Sequence, residues 1–205
     1  MREAPQLAPP RPDQMGDPAS TAGVWNIANA LTLVRLLLVP VFVVLLFADG
    51  GHSPGWRIAA FIAFAAACVT DLADGHLARR RHLVTEVGKI ADPIADKALT
   101  ASALIGLSAL GDLPWWVTVV VLVRELGVTS LRFVVIRHGV IPASRGGKVK
   151  TLVQNIAIGL YVLPLSGPLA SLRVWVMGLA LVLTIVTGLD YVSKAMTLRR
   201  TSTRP

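Results

Sequence analysis

The stretch that decides the fold runs from Asp71 to Lys97 and reads DLADGHLARRRHLVTEVGKIADPIADK. It lies between two strongly apolar runs and carries four aspartates. Asp71 and Asp74 stand three apart, Asp92 and Asp96 four apart. Either spacing sets its pair on one face of a helix, so the stretch predicts two helices joined by a short basic turn near residues 79–87. Folded as an antiparallel hairpin about that turn, Asp71 comes level with Asp96 and Asp74 with Asp92. The carboxylates then fall in two adjacent layers, the farther one roughly 12–14 Å from the turn at about 1.5 Å rise per residue. Gly75 comes level with Ala91 and Ala78 with Gly88. Small residues there let backbones or a ligand approach closely.

Outward from the hairpin, the chain is apolar. Of 205 residues 54% are hydrophobic and the mean hydropathy is +0.63, beyond the roughly 45–50% apolar content of an ordinary soluble domain. Six apolar segments, 27–47, 56–78, 88–110, 115–137, 150–167 and 171–193, each approach the ~20 residues that a helix needs to cross a bilayer. The expected fold is all-α, an integral membrane bundle of six transmembrane helices. Residues 1–23, rich in Pro, Ala and polar residues, read as a disordered cytoplasmic tail without a secretory signal. Residues 24–196 form the six-helix domain and 197–205 a basic cytoplasmic tail.

The charges are placed asymmetrically. The 79–89 turn, the 137–150 turn and the C-terminal tail carry Lys and Arg, whereas the 48–56 and 164–172 turns carry neither. The positive-inside rule puts both termini and the acidic hairpin's turn in the cytoplasm. Trp115 and Trp116 suit the outer interfacial belt. These loops explain the net charge of +8, and no aromatic–basic interleaving points to nucleic acid. The single cysteine, Cys68, excludes an intrachain disulfide and a cysteine-based zinc site.

Four carboxylates beside a bilayer are costly unless cations meet them. Arg79, Arg80 and Arg81 lie too near water to neutralise all four. All-oxygen ligands with no nearby Cys select Mg²⁺ or Mn²⁺ over zinc, and His76 and His82 read as exposed rather than ligating. Two facing pairs suit two ions per site, an arrangement used for displacement at phosphorus. A second group is cationic. Arg124 and Arg132, eight apart, share a helix face, and Lys148 and Lys150 open the fifth span with Gln154 a turn beyond. Together they form a cytoplasmic-side pocket for an anionic, most plausibly phosphorylated, substrate. Arg35, with Thr32 one turn before it, either joins this chemistry or neutralises an aspartate. Glu125 offers a structural partner to one of the arginines, and Asp190 reads as structural. Two rival readings are a salt-bridged helical hairpin and a divalent-cation transporter. The second leaves the basic cluster unexplained, since an arginine-lined path repels cations.

At these residues the chain resembles a known family. Asp71, Asp74, Gly75, Ala78, Arg79, Gly88, Asp92 and Asp96 match the signature of CDP-alcohol phosphotransferases at every fixed position. The resemblance implies a six-helix membrane enzyme, usually a homodimer, that releases CMP from a CDP-linked lipid. It implies that Asp71, Asp74, Asp92 and Asp96 surround two metals, with Asp96 as base. It also implies that Asp71, Asp74, Gly75, Ala78, Arg79 and Gly88 cradle the cytidine diphosphate. Further marks are Asn29 to Arg35, Asp92-Pro-Ile-Ala-Asp96-Lys97, Arg124-Glu125 with Arg132, and Gly147-Lys148-Val-Lys150-Thr151 with Gln154. They are similar to the branch that takes CDP-diacylglycerol as donor and sn-glycerol 3-phosphate as acceptor. The acceptor's phosphate would then sit among Thr32, Arg35, Arg124, Arg132, Lys148 and Lys150. One departure is Ala28, where that branch often has Pro. It touches helix entry rather than chemistry. Inositol phosphate and phosphatidylglycerol are the alternative acceptors.

Overall fold

The computed structural model describes the backbone of residues 27–81, 86–135 and 145–202, and the side chains within 31–71, 94–131 and 146–197. All regular structure among these residues is helical. The helices are α1 (Ile27–Phe47), α2 (Pro54–Arg81), α3 (Glu86–Ala109), α4 (Trp115–Val135), α5 (Arg145–Val162) and α6 (Pro168–Ser202). A short 3₁₀ turn, Ala48–Gly51, links α1 to α2. The expected 1–23 tail lies outside the described residues.

Helix ends follow local chemistry. Pro54 occupies the first position of α2, where a missing N–H costs nothing, and the Arg57 amide donates to the Ser53 carbonyl at 3.0 Å. α3 stops in a Schellman motif. Gly111 turns left-handed at φ 79°, its amide donates to the Ser108 carbonyl at 3.1 Å, and the Asp112 amide donates to Leu107 at 2.9 Å. Three helix ends differ from expectation by more than three residues. α5 begins at Arg145 rather than 150, because the small, basic Arg145–Lys150 run is its first turns and not loop. It ends at Val162, just before Pro164. α6 continues through the basic residues to Ser202.

The packing order among the described residues centres on α1 and α6. α1 packs extensively along both α2 and α3, α5 along α6, and α4 along α6. Over the described residues α2 and α3 barely touch each other. Asp71 of α2 and Asp96 of α3 lie on the wall of one cavity, and α1 packs against both helices. Phe42, Leu46, Phe64, Leu104, Leu107 and Ile158 are buried in a core shared by α1, α2, α3 and α5. Phe42 and Phe64 meet with ring centroids 5.7 Å apart. Gly106 lets α1 come close, for a Cβ there would stand 2.7 Å from a Leu46 methyl.

Outward faces are apolar. Leu37, Val44, Ile62, Val123, Trp175 and Leu189 are all exposed, as in a protein bathed by lipid rather than water. Among the described residues two segments, Leu31–Gly51 and Pro168–Thr197, are long and apolar enough to cross a membrane. Six crossings are therefore not established by hydropathy alone.

Candidate active site

A cavity of about 800 Å³ runs between α2, α3, α4, α5 and α6. One end is polar, lined by Asp71, Asp96, Lys97, Arg124, Glu125 and Lys148; along its length Phe61, Phe64, Leu152, Ile156, Leu160 and Leu163 make it apolar. From Asp71 back to Phe61 is ten residues of helix, roughly 15 Å at about 1.5 Å per residue. The site thus has a charged head and a long oily groove.

Asp71 projects from α2 with 43% of its side chain exposed, and the Arg35 guanidinium, only 1% exposed, holds one of its oxygens at 3.0 Å. Arg35 is not among the cavity-lining residues. It works from behind, orienting a carboxylate that stays open to the cavity, and Thr32 is likewise buried away from it. Asp96 reaches the same wall from α3. The side chains of Asp74, Gly75, Ala78, Arg79, Gly88, Asp92 and Arg132, and of His76 and His82, lie outside the described ones.

Hard divalent ions fit what is present. Asp71 and Asp96, from separate helices, offer carboxylate oxygens to one cavity, whose lining also includes the half-buried Cys68 and no histidine. Among the described residues no three acidic, His or Cys side chains gather as a metal centre; Asp71 and Asp96 are two of the four in the motif.

The cationic group is real in space but differs in its centre. Arg124 is fixed by three contacts: Nε donates to the Thr184 carbonyl at 3.2 Å, Nη2 to Thr187 Oγ1 at 2.7 Å, and Nη1 to Glu125 at 3.1 Å. One hydrogen on each terminal nitrogen remains for a ligand. Gly188 makes room for this arginine, since a Cβ there would meet Arg124 Cγ at 3.3 Å. Lys148 stands exposed on the cavity wall. Lys150 is 2% exposed, does not line the cavity, and is ion-paired with Glu125. Lys97, beside Asp96, also reaches Glu125 at 3.4 Å. The sequence reading gave Glu125 one arginine partner and gave Lys97 no role. Its only available signal was adjacency to Asp96 and Arg124.

At the opposite end Arg57 pairs with Asp112 at 2.5 Å and donates to the Tyr161 carbonyl at 3.2 Å, while Arg173 lies 5.1 Å from the Tyr161 ring centroid. This cluster ties the start of α2, the α3–α4 turn and the end of α5 together. Asp190 pairs with Lys194 one turn on, at 2.6 Å, both side chains exposed.

A cavity with an acidic pair, a basic group and an oily groove defines a class: enzymes that join a phosphate-bearing lipid to a soluble anion. A family model for CDP-alcohol phosphatidyltransferases matches residues 25–186, and the chain belongs to that family. It is 60% identical over 183 residues to a Mycobacterium tuberculosis (strain H37Rv) protein called a probable phosphatidylglycerophosphate synthase, covering 89% of this chain and 88% of that one. It is 38% identical over 195 residues to the CDP-diacylglycerol–glycerol-3-phosphate 3-phosphatidyltransferase of Bacillus subtilis (strain 168), covering 87% of this chain and 100% of the relative. A Shigella flexneri serotype 5b protein of that same name is 36% identical over 184 residues, covering 83% and 95%.

Proposed function

We propose that the protein transfers the phosphatidyl group of CDP-diacylglycerol to sn-glycerol 3-phosphate, yielding phosphatidylglycerophosphate and CMP. The observation that carries this is the cavity's composition, an acidic pair and cations at one end of an apolar groove. It suits one amphiphilic and one small anionic substrate, and the names of relatives at 60% and 38% identity agree.

In this reading Asp71, Asp74, Asp92 and Asp96 hold two Mg²⁺ or Mn²⁺ ions. When bound, those ions spread the charge of the pyrophosphate and favour departure of CMP. Gly75, Ala78, Arg79 and Gly88 cradle the nucleotide. Arg35 holds Asp71 in place, and Arg124, Arg132 and Lys148 receive the acceptor's phosphate. Asp96 takes the proton from the acceptor hydroxyl; the oxygen attacks the lipid-side phosphorus, and the bond to the CMP oxygen breaks. Lipid enters sideways from the inner leaflet. All six helices span the cytoplasmic membrane with both termini and the active site on the cytoplasmic side, supported by the Lys and Arg bias of the turns. Two chains pair as a homodimer.

The test is a panel of soluble alcohols offered with CDP-diacylglycerol to purified protein. Labelled glycerol 3-phosphate should enter lipid, and only when CDP-diacylglycerol is present. Preference for inositol phosphate or phosphatidylglycerol would reassign the acceptor. Divalent-ion flux without CMP release would support a transporter instead.

A further inference from the structure

Lys150 is the most deeply buried lysine among the described residues, and it is aimed at Glu125 rather than at the cavity. Glu125 in turn is the meeting point of three helices. It sits on α4 beside Arg124 at 3.1 Å, takes Lys97 from α3 at 3.4 Å, and takes Lys150 from α5. Its own side chain is only 15% exposed, so these contacts are little screened by water. Three cations so placed would repel one another strongly without it. With it, the four groups carry two net positive charges, the complement of a phosphate monoester near neutral pH, whose charge is about −1.5 to −2.

We propose that Glu125 is a positioning residue for the acceptor and that Lys150 acts through Glu125 without touching substrate. Lys150 braces the carboxylate from behind. The carboxylate fixes Arg124 and Lys97 on the cavity wall, and the acceptor's phosphate is received by Arg124, Lys97 and Lys148. This deepens the acceptor reading given above and rests on it. It adds Lys97 as a phosphate contact, and takes from Lys150 the direct contact that its place in the sequence suggests.

The experiment measures KM for glycerol 3-phosphate and for CDP-diacylglycerol separately in Glu125→Gln, Glu125→Asp, Lys150→Gln and the Glu125→Gln/Lys150→Gln double variant. Each single variant should raise KM for the acceptor about tenfold, the scale of one charge-assisted contact, with KM for the lipid donor unchanged. The double variant should be no worse than the worse single one, because both remove one brace. Glu125→Asp keeps the charge and the fold while withdrawing the carboxylate by one methylene. Binding of inorganic phosphate, followed as a rise in melting temperature, reads the same cluster whatever alcohol is used, and should weaken in all four. Three results overturn the proposal: an acceptor KM that falls or stays put in the Glu125 variants, losses that multiply in the double variant, or phosphate binding that is unchanged. If wild-type protein ignores glycerol 3-phosphate but phosphate binding still weakens as described, the acceptor reading fails and the brace stands.

Discussion

At the scale of single residues, the site is built from groups that hold other groups. Arg35 lies at full depth and faces Asp71, so Asp71 is oriented before any ion or substrate arrives. Asp96 stands on the same cavity wall, beside Lys97. Asp96→Asn should therefore lower CMP release by at least about a thousandfold, combining loss of general-base catalysis with loss of an ion ligand, while the melting temperature stays near wild type. Normal turnover by this variant would remove the base assignment. The aspartates were legible in the sequence because their spacing is helical and their charge has no other explanation in lipid. Glu125's three partners were not. They come from α3, α4 and α5, and no local spacing links Lys97, Glu125 and Lys150.

At the scale of elements, apolar length located the helices well. α1 occupies the segment read from sequence, residue for residue, and runs through both Arg35 and Pro40. α5 was misplaced at both ends because lysines in its first turns look like loop. The Arg57–Asp112 pair was hidden for a related reason: each residue sits at the edge of a turn, and only the packing brings them together. Breaking a buried pair by removing one partner costs about 3–5 kcal/mol. Asp112→Asn should therefore lower the melting temperature of detergent-solubilised protein while the active site, at the other end of the bundle, keeps its KM values. Gly188 offers the opposite test. Gly188→Val should push Arg124 off its contacts with Thr184 and Thr187 and raise the acceptor KM about tenfold, as expected for one displaced charge-assisted contact. An unchanged KM would mean that Arg124 does not meet the acceptor.

At the scale of the whole molecule, the helices set polar chemistry at one end and a structural ion pair at the other, with an oily groove between. Among the described residues hydropathy marks two segments as spans, on α1 and α6, and the charged groups of the cavity lie on the four helices between them, as ionisable groups at membrane depth mark functional sites. Single-cysteine variants in a Cys68→Ala background read the topology: thiols at positions 50 and 166 should label from outside intact cells, and one at position 201 should not. The account's central claim is that α2 and α3 bring their carboxylates to one point and hold two divalent ions there. Electron paramagnetic resonance of the Mn²⁺-loaded protein tests it most directly. Two magnetically coupled ions per chain, lost in Asp71→Asn and in Asp96→Asn, are the expected result; one isolated ion, or binding indifferent to both substitutions, would contradict it.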